Sequence, residues 1–281
     1  MYQTCGTQIN LDYTSEKDFI KKFKLSSFLT PLSTAIFANS PVKESKLNNY
    51  LSYRSHVWQN TARGGLPKSF LENMDFEKYI DMAINMPLLF LFKNDNHLRS
   101  SGNTFKDFME GNLSILKGEL PSIKDFEIHL ATIFTEVRLK QYVELRSLDT
   151  CDWGCICNGP AFFTGLFYGE IDETFNIVSK WTKQEVMNAY MESPKQGLFT
   201  ELAGRKLFEW GRIFLELSKE GLVKRNKLNS SNKNETIYLH HTENVIKNKK
   251  NRAQLLINKF EKTKSMDFFY DEKEDFSYSG L

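Results

Sequence analysis

Between Thr135 and Asp149 charged and apolar residues alternate nearly one for one, and this stretch constrains the fold more than any other. Val137, Leu139, Val143 and Leu145 fall on one face of an extended chain; Glu136, Arg138, Lys140, Tyr142, Glu144 and Arg146 fall on the other. A repeat of two is that of a β-strand, whose successive side chains point to opposite faces. The spacing therefore predicts a strand over 135–149 that presents acids and bases together. Two readings stand: an exposed strand with cross-strand ion pairs, or the charged wall of a site.

A second strand-like run opens the chain over 2–13, where Cys5, Thr7, Ile9 and Leu11 alternate with Thr4, Gly6, Gln8, Asn10 and Asp12. An edge strand with one wet face accounts for this pattern, as does the floor of a polar cleft. Ser15 followed by Asp18 predicts a capped helix start, and a second helix is expected over Pro31–Asn39, ended by Asn-Ser-Pro. The Gly-, Asn- and Ser-containing stretch 43–66 reads as loop with short extended pieces, where ligand contacts tend to sit. A helix over 76–84, a buried strand over 87–92 and a helix over 122–134 precede the alternating run. From Gly159 onward the pattern is helical: 160–168, 171–181, 183–191 and 201–222, a polar linker over 225–235, and a last helix over 251–262 before an acidic, aromatic tail from Ser265. Strands first and helices later indicate an α+β architecture.

In 281 residues, 41% hydrophobic and 14% aromatic content is enough to fill a sizeable core. The formal charge of +2 comes from 37 basic and 35 acidic residues spread along the chain, which excludes a broad field for nucleic acid or an anionic membrane. The longest apolar run, Met86–Phe92, is far short of the ~20 residues that cross a bilayer. A soluble, cytoplasmic protein is expected. Cys151, Cys155 and Cys157 lack the paired CxxC spacing of a zinc site, so free thiols are expected.

Several segments, read in order, carry a resemblance: Thr4–Tyr13, Phe37-Ala-Asn-Ser-Pro41, Leu51-Ser-Tyr-Arg-Ser-His-Val-Trp58, Gly118-Glu-Leu-Pro121, His129–Phe134 and Glu136-Val-Arg-Leu-Lys140, followed by Glu144-Leu-Arg146, Asp149 and Pro160-Ala-Phe. Together they resemble the back portion of the plant-type (plant and alphaproteobacterial) glutamate–cysteine ligase family. Departures are Thr135 where relatives have Pro within Phe-Pro-Glu-Val-Arg, Val42 where they have Phe, and a shorter segment after Trp58. The resemblance implies a glutamine-synthetase-like, mostly antiparallel sheet as the active-site floor. Residues 1–158 would be the back portion of the catalytic domain, and 159–281 a helical region packed on it. Relatives carry carboxylate-bearing strands ahead of the run at Tyr2, so the chain is expected to lack them, or to take them from an N-terminal polypeptide.

The family's reaction needs no enzyme nucleophile. ATP phosphorylates the γ-carboxylate of glutamate, the cysteine amine displaces phosphate, and metal ions with cationic side chains stabilise the transferring group. The resemblance thus implies ATP and Mg²⁺ as cofactors, with Glu144 as metal ligand and Arg138 and Arg146 on phosphate. Arg54 and Arg63 would take the amino-acid carboxylate, a guanidinium fork being suited to bidentate contact; Trp58 would wall the pocket, and Gln8 and Asn10 would line the cleft. A sister ligase with another amine acceptor, or a non-catalytic remnant, would share these features.

Overall fold

The computed structural model describes residues 3–93, 95–100 and 102–267; Met1, Tyr2 and most of the acidic tail lie outside the described residues. The opening run forms β1 (Gly6–Leu11), with Ile9 and Leu11 buried and Gln8 and Asn10 exposed, as the alternation predicts. Helix α1 (Glu16–Phe28) starts where expected: the Ser15 hydroxyl accepts from the Asp18 N–H at 3.2 Å. Helix α2 (Thr30–Phe37), with Pro31 in its first turn, is buried along its whole length.

The ribbon of β2 (Val42–Lys43) and β3 (Lys46–Leu47) leads to a correction. Part of the stretch expected as loop is a helix, α3 (Tyr53–Gln59). It forms because Ser52 caps it, accepting from the Ser55 N–H at 3.1 Å, and because Leu51 and Ser52 donate their N–H groups to the Pro194 carbonyl at 2.7 and 3.0 Å. After β4 (Gly64–Gly65) and α4 (Phe76–Ile84), the strand expected over 87–92 is instead a hairpin, β5 (Phe90–Lys93) with β6 (Asn96–Arg99). With α5 (Phe105–Met109) it covers a satellite core of Leu88, Leu91, Phe105, Phe108 and Leu113, too small to bury Leu89 and Phe92. Helix α6 (Ile123–Ala131) begins with a reciprocal capping box between Ser122 and Asp125.

The alternating run is not one strand. It breaks into β7 (Phe134–Thr135), β8 (Val137–Leu139) and β9 (Val143–Asp149), and the tight turn between the last two is closed by the Lys140 N–H on the Tyr142 carbonyl at 2.9 Å. Sheet order is β1-β9-β8, antiparallel throughout, while β4 pairs parallel with β7. Thr7 pairs Leu148 and Ile9 pairs Leu145, so Gln8 faces two residues, Arg146 and Ser147, across a β-bulge. The bulge shifts the alternation by one: Val143, Leu145 and Leu148 join the core, and Asp149 falls on the same face as Glu144 and Arg146.

Beyond the sheet come α7 (Trp153–Ile156), α8 (Asn158–Thr164) with a π-helical turn at Gly165–Gly169, α9 (Ile171–Val178) and α10 (Lys183–Gln196). The expected helix over 201–222 splits into a hairpin, β10 (Glu201–Leu202) with β11 (Arg205–Lys206), and α11 (Leu207–Arg225). Helix α12 (His240–Asn248), absent from the sequence-based expectations, and α13 (Arg252–Thr263) complete the fold. A Cβ at Gly165 would sit 2.2 Å from the Ser218 carbonyl, so α8 and α11 meet backbone to backbone. The main core is one cluster that runs from Ile9 to Ile246 and includes residues on both sides of position 158. The architecture is mixed α/β, with helices interleaved from α1 onward, not strands first. Cys151 and Cys155 are corrected from free thiols to a disulfide: Asp152 caps α7 and winds the chain so that their Cα atoms stand 5.7 Å apart. Among the described residues no helix is long and apolar enough to cross a membrane.

Candidate active site

The hairpin of β8 and β9 places Arg138 directly opposite Glu144. One carboxylate oxygen of Glu144, Oε2, accepts from Arg138 Nε at 2.7 Å and from Arg146 Nη1 at 2.8 Å. Oriented with its amide nitrogen toward Glu144, Gln8 donates to Oε1 at 3.0 Å and accepts from Arg146 Nη1 at 3.2 Å. Lys140 Nζ stands 3.8 Å from the same Oε1. Burial opposes the charge on Glu144, but the bonds from the two guanidiniums outweigh it and hold the carboxyl below its usual range. Burial pulls Arg146 down in turn, with Glu144 opposing.

Arg54 enters from α3. Its Nη2 donates to the Arg146 carbonyl, its Nη1 lies 4.0 Å from Glu136 Oε2, and its guanidinium carbon is 5.2 Å from the centre of the Trp58 ring. Arg146 packs on that same ring at 5.3 Å, so Trp58 is shared by two cations. Close passage of Arg54 explains a glycine in β1: a Cβ at Gly6 would stand 2.5 Å from Arg54 Nε. Burial pushes the Glu136 carboxyl up and Arg54 pulls against it. Behind lies Asp149, accepting from the Asn39 N–H at 2.8 Å, Ser40 Oγ at 2.7 Å and Ser52 Oγ at 2.8 Å; burial raises its carboxyl, opposed first by Arg54.

The expected site residues therefore separate into groups. Arg138, Glu144, Arg146, Arg54 and Trp58 come together, all at most 8% exposed, in a packed ionic layer. Gln8 joins it from the exposed face of β1; Asn10, paired in register with Glu144, is also exposed there. Arg63 is engaged elsewhere: its Nη2 donates to His129 Nδ1 at 3.4 Å and to the His129 carbonyl at 3.3 Å, while His129 Nε2 donates to the Ala83 carbonyl at 2.7 Å. Burial holds Arg63 down to about 10 and His129 down to about 4, so His129 is neutral with its proton on Nε2. Arg138 Nη1 also caps the end of α6, donating to the Ala131 and Ile133 carbonyls at 3.2 and 3.3 Å.

Asp149 and Tyr190 complete the layer without having been assigned a place in the site from sequence, and Glu136, foreseen only as part of the charged face, joins them. Asn39, Ser40 and Ser52 belong to two of the segments quoted above, and their convergence on Asp149 is what those segments have in common. Tyr190, more than forty residues beyond β9, carries no local signal at all.

Three guanidiniums (Arg54, Arg138, Arg146) face three carboxylates (Glu136, Glu144, Asp149), with Lys140 at the rim. Arg54 Nη1, Arg146 Nε, and Arg63 Nε and Nη1 are buried without a hydrogen-bond partner. A sheet face bearing buried, unsatisfied cationic donors is the kind of surface that receives carboxylate or phosphate. The chain belongs to the glutamate-cysteine ligase family 2, whose model matches residues 1–272. The chloroplastic glutamate–cysteine ligase B of Oryza sativa subsp. japonica is 40% identical over 266 residues, 93% of this chain and 52% of the rice protein. The chloroplastic enzymes of Solanum lycopersicum (38% identical over 262 residues, 92% of this chain, 49% of that protein) and Arabidopsis thaliana (40% over 230 residues, 80% and 44%) are similar in the same way. The chain thus spans about half the length of the curated relatives it matches. Their names place them in the chloroplast, which overturns the cytoplasmic expectation drawn from composition.

Proposed function

We propose that this chain carries the cationic wall of a glutamate–cysteine ligase, which joins the γ-carboxylate of glutamate to the amine of cysteine through a γ-glutamyl phosphate. The observation that carries the reading is a pair of buried guanidinium nitrogens, Arg54 Nη1 and Arg146 Nε, left without partners in one carboxylate-anchored layer. A buried donor left unpaired costs about 1–3 kcal/mol, a cost that an anionic substrate would remove. When bound, ATP supplies the phosphoryl group that converts the γ-carboxylate into an acyl phosphate. In this reading Arg138 and Arg146 hold phosphate oxygens, Arg54 holds the amino-acid carboxylate, Trp58 walls the pocket, and Gln8 and Asn10 line its wet edge; Arg63, turned to His129, stands apart from this set.

Glu144 does not fit the part of Mg²⁺ ligand: its Oε2 is shared by two guanidiniums, and its Oε1 faces the Gln8 amide and Lys140. We therefore assign Glu144 to holding Arg138 and Arg146 in place. We read the three-stranded sheet as part of a larger glutamine-synthetase-like floor. The described residues up to 158 belong to its back portion, and the helices that follow pack against it.

The test is ADP release coupled to a colorimetric readout, with glutamate, ATP, Mg²⁺ and either cysteine or another amine. The chain is assayed alone and with the upstream half of the rice relative. Cysteine-dependent turnover from the pair, lost on Arg146→Met, is expected. Turnover indifferent to Arg146, or an amine other than cysteine preferred tenfold or more, would contradict the proposal.

A further inference from the structure

Helix α10 touches the layer at points that no local sequence pattern connects to it. The Tyr190 hydroxyl donates to Glu136 Oε1 at 3.2 Å, and the Tyr190 carbonyl accepts from Gln59 Nε2 at the far end of α3 at 2.6 Å. Four residues on, the Pro194 carbonyl receives Leu51 and Ser52 at the near end of α3. One helix therefore grips both ends of the segment that carries Arg54 and bonds the carboxylate facing it. The other oxygen of that carboxylate, Glu136 Oε2, has no hydrogen-bond partner, and neither has Arg54 Nη1, 4.0 Å away. Both side chains are at most 3% exposed, so neither can turn to water instead. Gly65, at φ +74°, makes room for the tyrosine: a Cβ there would stand 3.2 Å from its hydroxyl oxygen.

We infer that Tyr190 is a positioning residue, which fixes Glu136 through its hydroxyl and thereby holds the Arg54 guanidinium in the orientation a substrate carboxylate requires. The inference rests on the substrate role proposed for Arg54. The ring of Tyr190 supplies packing that phenylalanine would match; the hydroxyl contributes the bond to Glu136. Without it the buried carboxylate faces only Arg54 from α3 and, at longer range, Arg146 and Asp149 from β9. It then takes up a proton more readily, and Arg54 loses its counter-charge.

The test uses Tyr190→Phe, alone and in a Glu136→Gln background, read by carboxyl ¹³C NMR of Glu136 and by glutamate binding to the chain. In Tyr190→Phe the Glu136 titration midpoint rises by about one pH unit, the loss of one hydrogen bond to a charged group, and the glutamate Kd rises about tenfold. In the Glu136→Gln background Tyr190→Phe adds nothing to the change in Kd. An unmoved midpoint, or a full additional loss in that background, overturns the inference. A midpoint that moves while the wild-type chain shows no glutamate binding supports the Tyr190–Glu136 linkage and counts instead against the substrate role of Arg54.

Discussion

Two guanidiniums converge on a single oxygen of Glu144, and that oxygen is where the site is most easily damaged. Breaking a buried ion pair by neutralising one partner costs about 3–5 kcal/mol, because the remaining charge stays desolvated. Glu144→Gln leaves Arg138 and Arg146 in that condition, so it should lower unfolding stability by a similar amount in urea titration. A loss below about 1 kcal/mol would show that the arginines find other partners. His129 makes a second prediction at this scale. Its imidazole, held near 4 by burial against an ordinary 6.5, stays neutral in the fold, whereas the unfolded chain takes up a proton below about 6.5. The stabilisation is full above about pH 6.5 and declines as the pH falls toward 4, by about 3 kcal/mol at most. Urea midpoints measured between pH 7.5 and 4.5 should fall less steeply in His129→Gln than in the native sequence; parallel slopes would contradict this.

Helix α3 shows how an element can be placed by partners remote in sequence. Seven residues with aromatic and β-branched members are too few to hold a helix unaided. Ser52 both caps the helix and donates to Asp149 Oδ1 at 2.8 Å, tying the helix bearing Arg54 to β9. Ser52→Ala therefore removes a cap and a bond to a buried carboxylate, with a combined cost of about 2–4 kcal/mol by thermal or urea unfolding. A cost near that of a cap alone, about 1 kcal/mol, would mean that Asn39 and Ser40 satisfy Asp149 without it. The same element marks the limit of what the sequence discloses. Alternation made the extended backbone and the charged face around Glu144 legible, though not its division into paired strands, and Ser15 announced α1 through its cap. The hairpin turn at Lys140-Gln-Tyr142 has none of the usual turn residues, and the bulge opposite Gln8 moves Asp149 onto the site face against the simple period. Helix α3 was hidden for a different reason: its stabilising acceptor, Pro194, lies far along the chain.

At the scale of the whole molecule, the helical region is a structural support of the charged sheet, not an appendage to it. Helix α10 anchors α3, the disulfide closes the turn after β9, and α11 packs backbone to backbone on α8. The cationic residues foreseen from the alternating run do converge, but as a sealed ionic layer whose edge is wet at Gln8 and Asn10, not as an open cleft. The most direct measurement of the central claim is calorimetric titration of the chain with a non-hydrolysable ATP analogue, comparing the native sequence with Arg146→Met and with Arg205→Met, a control on the exposed face of hairpin β10–β11. Loss of one charge-assisted contact predicts affinity weakened about 10- to 100-fold in Arg146→Met and unchanged in Arg205→Met. Equal affinity in all three, or no binding by the native chain, would contradict the assignment of this layer to the nucleotide.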